Sequence, residues 1–418
     1  MKARSTAAAL IPVVTILLSD QPSDPPGSSN LVFNPVKVVD SSTTIPNGSG
    51  SFIDFDTPVM SDMGIAFRGE GSGDQEGIYY FSQNSISRIV DKNTSVPSGV
   101  GNFSSIRRPS IHNNEVVFYG ASNSVDSGIY KGTTASVALV ADENTDLPGG
   151  TTHKFERFDF FPSISGGGVV ISGRTLTPNL REGIYKYSGG SGSVIADSDS
   201  SMPNGSTTMG FFRDPKISGN VVAFYGGEDS VSGGTVEGLV KYEGGVLTSV
   251  YIQGVTQVPG SGTTLSGIDD IEAQAISMFG SSIAFSTRAF GTLQEGIYTF
   301  TSGGLVLIAD ESTPAPDAEG NLFDLVHPCI SGADILFKAI SIQTQPVQTL
   351  IDGLYYYDGD AVGGSTLSKV IAEGDMLDGA TVTAVDSATQ GCINGAIVAR
   401  ITLSDGSIAI YRFDIEEE

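Results

Sequence analysis

Tryptophan is absent from this chain, and only two cysteines and three histidines occur in its 418 residues. A zinc site of the ordinary kind needs clustered Cys and His ligands. Cys329, Cys392, His112, His153 and His327 are too scattered to supply one. Two cysteines cannot build a disulfide framework, so stability must come from buried apolar surface. The missing indole removes the favoured flat platform for a sugar ring. Charge is scarce, at 17% of residues against the usual quarter. It is also lopsided, with 22 Lys and Arg against 47 Asp and Glu and a net charge of -25. Phosphate binding needs clustered basic residues, so a nucleic-acid partner is excluded. The G-x-S-x-G, P-loop and H-E-x-x-H signatures of common enzymes are missing.

What is present is glycine, at 53 residues, and many short Val, Ile, Phe and Tyr runs between Gly, Pro, Asn and Ser clusters. Long amphipathic helical stretches are lacking. This pattern predicts an all-β chain with many turns. Disorder is the competing reading of a Gly/Ser-rich chain, and 39% apolar content argues against it. At the N-terminus, Lys2 and Arg4 precede an apolar run from Ala7 to Leu18, followed by a polar Pro/Ser/Asp stretch. That layout predicts a secretory signal peptide over residues 1–19 and a linker over 20–34, and the run is too short for an ordinary membrane span. The expected product is secreted or on the cell surface, spans no membrane once the signal is removed, and is a monomer.

The rest of the chain repeats. "KVVDSSTTIPNGSG" at Lys37 returns as "RIVDKNTSVPSGVG" at Arg88 and "LVADENTDLPGGTT" at Leu139. Further copies begin at Val194, Val250, Leu307 and Val370. Two more phrases keep step: a Pro-led strand such as "PSIHNNEVVF" at Pro109, and "EGIYYF" at Glu76 with its counterparts. Each copy holds four β-runs, and a single sheet of four cannot bury both faces. Copies of this length predict a seven-bladed β-propeller over residues 35–418, four antiparallel strands to a blade. The chain stops after the last "GIY"-type strand, and the N-terminus supplies the missing one early. Residues 36–40 are therefore expected to pair with 407–413 and close the ring.

Candidate chemistry lies in the phrases. Asp142-x-Asn144-x-Asp146, and Asp197 with Asp199, resemble the opening of a calcium loop. No later acid closes the set, so a capped turn is the plainer reading, with calcium the alternative and no other cofactor expected. The acids before "GIY" (Glu76, Glu182, Glu237, Glu295, Asp352) would form a ring, read as structural because a functional site normally breaks symmetry. The Pro-led strand is expected to line the channel. Around its start the copies differ: Asp54 and Asp56, Arg107 and Arg108, Arg157 and Asp159, Arg213 and Asp214, Asp269 and Asp270, and His327. An asymmetric binding site is expected at this mouth, with mutual pairing of the charges as the competing reading. Cys329 and Cys392 follow the Pro position in copies six and seven; two buried thiols are the plainer expectation and a disulfide across adjacent blades the alternative. In "YYY" at Tyr355–Tyr357, strand alternation predicts two core rings and one exposed. Asn47, Asn93, Asn102 and Asn204 form glycosylation sequons in expected loops.

The units "VADENTDLPGG", "PSISGGGVVISG" and "EGIYKYSGGSGSVIAD" resemble the repeats "VADTNTPIPGG…PSISGGNVAF…GIY" of a group of uncharacterised bacterial exported proteins, which often carry a PEP-CTERM sorting tail. The resemblance covers residues 37–413 and implies architecture, with no established activity. The ending "YRFDIEEE" lacks that tail. The expected function is a non-catalytic exported binding or surface-matrix propeller that recognises a protein or polysaccharide. The alternatives are a hydrolase with its site at the channel mouth and a calcium-dependent adhesion module.

Overall fold

The computed structural model describes residues 31–417, apart from 98, 123–126, 151–152, 177–179, 231–232, 267–274, 290–293, 317, 319, 344–348 and 362–363. It is a seven-bladed β-propeller, with blades 1 to 7 running in order over residues 52–91, 103–142, 157–197, 209–252, 276–310, 323–372 and 376–417. Blade 2 shows the plan: Phe103–His112 innermost, then Glu115–Ser122, Ser127–Gly132 and Val137–Asp142, each antiparallel to the one before. The innermost strands touch from blade to blade around the whole ring.

The strand Leu31–Asp40 closes the circle as the outermost strand of blade 7, with Val36 opposite Arg412 and Asp40 opposite Ala409. It starts at Leu31, so the expected linker ends four residues sooner than Asn34. The expected signal peptide lies outside the described residues.

Seven cores lie between blades, each fed by two neighbours. One joins Val59, Ala66 and Ile78 of blade 1 to Phe103, Phe118 and Tyr130 of blade 2. Covering both faces of each sheet explains why the tyrosines of "GIY" are buried. It also corrects the Tyr355–Tyr357 reading. Tyr355 and Tyr356, which point to opposite faces, are both buried, and Tyr357 is half-buried.

The repeat phrases have local causes. Asp142 ends the outermost strand of blade 2, and its carboxylate accepts from the Asn144 N–H at 3.0 Å and the Thr145 hydroxyl at 2.8 Å. Asp91, Asp197 and Asp310 repeat the arrangement with Thr94, Ser200 and Thr313. The glycine of "GIY" is required by closeness: a Cβ on Gly128 would lie 2.8 Å from the Ala141 carbonyl of the next strand. In three copies the residue after the repeat's Pro position stitches the inner wall. Ser110, Ser163 and Ser277 accept the N–H of Ile164, Ile217 and Ile330 on the following blade.

Candidate functional site

The axis is obstructed. Ala388, Thr389 and Gln390 of blade 7 lie across it: the Ser277 hydroxyl of blade 5 donates to the Thr389 carbonyl at 2.8 Å. The Met60 N–H of blade 1 donates to the Gln390 carbonyl at 2.8 Å. The Ile111 N–H of blade 2 donates to the Gln390 side chain at 3.3 Å. Ala388 is packed into the core between blades 1 and 2. On one side of this plug is a cavity of about 470 Å³ walled by near-equivalent Ser, Ile and Met residues from all seven blades. Such a lining is nearly symmetric and holds little charge.

Cys329 and Cys392 are joined in a disulfide, with Cα atoms 5.9 Å apart. The expectation of two buried thiols is overturned. Both residues occupy the Ser110-equivalent position on innermost strands, where adjacent blades converge most closely. The bond stands where Ser110, Ser163 and Ser277 make their backbone stitches and fastens blade 6 to the strand that follows the plug.

The charged residues gather on the opposite mouth, where the outer strands feed the inner ones. In blades 6, 7 and 1 they pair with one another. Arg400 reaches Asp54 at 2.8 Å and Asp386 at 3.5 Å, and Lys338 bridges Asp386 and Asp352. Arg68 meets Asp56 at 3.2 Å, Glu70 and Glu76. The competing reading, mutual pairing, therefore holds for Asp54 and Asp56. Glu76 is a clasp between blades: it also accepts the Ile106 N–H of blade 2 at 2.9 Å. Burial alone would raise its carboxyl, but Arg68, that N–H and Lys92 outweigh burial and hold it low.

Blades 2 to 4 depart from this balance. Arg108 lies over the Phe161 ring at 4.9 Å, and Lys216 over the same ring at 5.8 Å. Among the described residues, the Arg107 guanidinium donates to the Ser105 hydroxyl at 3.0 Å and makes no ion pair. Lys216 stands where the neighbouring copies have Ser, so blade 4 lacks the Ser stitch, and it pairs with Asp214. The other oxygen of Asp214 is buried without a hydrogen-bond partner among the described residues. Arg108, Asp214 and His327 each precede a proline and each has a positive φ, 53°, 46° and 53°. That backbone region is unfavourable for a side-chain-bearing residue before proline. Each sits at a register shift in its strand pairing, so these bulges re-aim the mouth residues.

Beside this cluster a pocket of about 330 Å³ opens between blades 3 and 4. Arg157, Asp159, Phe160, Arg174, Glu182 and Arg213 line it. Arg157 and Arg174 face each other directly across antiparallel strands. Glu182 occupies the same repeat position as Glu76, yet its nearest cation, Arg174, is 3.8 Å away. Burial pushes the Glu182 carboxyl up, against the pull of Arg174 and the Phe212 N–H. Burial also raises Asp159, with Asp214 adding to it. The same clasp position thus carries opposite shifts in blades 1 and 3.

Of the expected mouth residues, the fold brings Arg157, Asp159 and Arg213 into this pocket and sets Arg108 and Asp214 beside it. Asp269 and Asp270 lie outside the described residues. His327 is half-buried at its bulge in blade 6. Lys216, Arg174, Gln390 and Arg400 were not anticipated. Lys216 alone had a visible signal, since "PKIS" breaks the "PSIS" and "PSIH" pattern. In the calcium candidates, Asp142 and Asp197 hold their turns, Asp146 pairs with Lys154 at 3.0 Å, and Asp199 pairs with Arg181. Among the described residues no group of three or more potential ligands is gathered around a point, and no helix is long and apolar enough to cross a membrane. The four sequon asparagines are exposed.

Solved structures of similar shape include the β-propeller domain of the Trilobed protease from Pyrococcus furiosus, at 11% identity and TM-score 0.44, covering 76% of this chain and 84% of that one. Prolyl oligopeptidase B from Galerina marginata matches at 14% identity and TM-score 0.48, with 86% of this chain covered. This chain spans 49% of that peptidase. No curated protein matches the sequence. A family model does match, over residues 32–217 and 172–396, and the chain belongs to the Family of unknown function (DUF7453).

Proposed function

We propose that this propeller is an exported, non-catalytic binding protein that holds a protein or polysaccharide partner on the mouth formed by blades 2 to 4. The observation that carries this reading is asymmetry. Charges are matched around blades 6, 7 and 1, whereas Arg107, Arg108, Arg157 and Arg213 collect on one arc and, among the described residues, make no close ion pair, although Asp159 and Glu182 share their pocket. A symmetric ring serves the fold; a departure confined to one arc serves a ligand. The plug of Ala388–Gln390 supports binding over hydrolysis, since it divides the channel and the axial cavity left beside it is walled mostly by near-equivalent residues of the seven blades. The Cys329–Cys392 disulfide supports an oxidising compartment, in line with the signal-like N-terminus.

Affinity capture tests the proposal. The full chain is immobilised and presented with exported proteins and a glycan array, in parallel with an Arg107→Ala, Arg108→Ala, Arg213→Ala variant. Capture by the wild type that falls about tenfold or more in the variant is the expected result, as for lost charge-assisted contacts. Equal capture by both, or cleavage of the captured material, overturns it.

A further inference from the structure

Resting on that binding role, we propose that the pocket between blades 3 and 4 receives the carboxylate of an acidic sugar residue of hexuronate size. Four observations converge. First, Arg157 and Arg174 stand opposite each other on paired strands. Like charges at directly opposed positions are destabilising unless something anionic lies between them. Arg157 has no ion-pair partner among the described residues, and Arg174 has only Glu182 at 3.8 Å. Arg213 adds a third guanidinium from the next blade. Guanidinium groups match a carboxylate in planar, two-point geometry.

Second, the volume of about 330 Å³ suits one ring-sized unit, and is at the small end of ligand pockets. Third, the wall is mixed. Phe160 is 44% exposed and braced edge-on by Tyr119 at 4.8 Å, which leaves ring surface for the C–H face of a sugar. Asp159 and Glu182 add acceptors for hydroxyl groups. A lone acidic amino-acid side chain would use the arginines and leave these acceptors without partners, which costs free energy on burial. Fourth, the whole chain carries a net charge of -25. A polyanion would be repelled outside the pocket, whereas a single carboxylate meets only the local arginines, because screening limits the rest to about 8 Å at physiological salt.

Isothermal titration of the full chain with glucuronate and galacturonate, glucose, and N-acetylglutamate separates the possibilities. Binding of a uronate, no binding of glucose, and weakening by about tenfold in Arg157→Gln and in Phe160→Ser are expected. Circular dichroism of each variant, and recovery of part of the affinity in Arg157→Lys, separate a lost contact from a lost fold. The assignment is overturned if no uronate binds, if Arg157→Gln binds uronate as well as the wild type does, or if N-acetylglutamate binds and the uronates do not. In each of these cases, retained capture of a partner by the immobilised chain leaves the binding role standing, so the two proposals fail separately.

Discussion

At the scale of single residues, repetition separates structural side chains from functional ones. Asp91, Asp142 and Asp197 do the same work in three blades: each caps the turn that ends its sheet. Glu76 and Glu182 share a repeat position yet differ in surroundings, and that difference marks the mouth of blades 3 and 4. Asp159 has no repeat duty. Burial and the neighbouring Asp214 raise its carboxyl above the ordinary range. The folded state therefore holds its proton more tightly than the unfolded state does. Its contribution to stability is fully present below the unfolded carboxylate range and is lost as pH rises through the raised value. Asp159→Asn, which stays neutral, should match the wild type in urea denaturation near pH 3 and exceed it at pH 7. An Asn variant less stable at pH 7 would mean that the carboxylate is held by cations in the folded state, and that the pocket arginines are already engaged by Asp159.

At the scale of strands and blades, the repeat made most of the fold legible. Four β-runs per copy, the order of strands, and closure by residues 36–40 all follow from hydrophobic pattern and phase. The inner wall was less legible. Whether Cys329 and Cys392 bond depends on the distance between adjacent innermost strands, which a one-dimensional pattern does not carry. The bulges at Arg108, Asp214 and His327 were hidden because each precedes a proline, where local preference points to extended backbone. Tertiary packing overrides that preference, and only the channel geometry reveals it. The plug is hidden in the sequence for a related reason: copy seven departs from the repeat there, and no other copy carries its counterpart. The disulfide now has a consequence at this scale. It closes a loop with a sequence separation of 63 residues between blades 6 and 7. By loop entropy, Cys329→Ser with Cys392→Ser should cost about 4 kcal/mol, read as a lower urea midpoint. An unchanged midpoint would show that the Gln390 and Ser277 hydrogen bonds alone hold the plug.

At the scale of the whole molecule, the acidic excess and the calcium question meet. A net charge of -25 distributed over one ring repels itself, and any salt relieves that repulsion. A rise in melting temperature on adding calcium would therefore prove little by itself. The turn geometry makes a sharper claim. Asp142 is committed to the Asn144 N–H and Thr145, Asp146 to Lys154, and Asp199 to Arg181. A bound ion would have to displace each of these. Sodium, magnesium and calcium chlorides at equal ionic strength should then raise the melting temperature by similar amounts, and a chelator at constant ionic strength should leave it unmoved. A specific site behaves otherwise: stabilisation grows with the logarithm of calcium concentration above its dissociation constant and is withdrawn by the chelator. An extra rise of several degrees for calcium alone would restore the metal-loop reading, and Asp142→Asn and Asp197→Asn would show which blades carry it. Equal rises would leave the repeated aspartates as turn caps and the arginines of blades 2 to 4 as the charges that the described residues leave without close ion pairs.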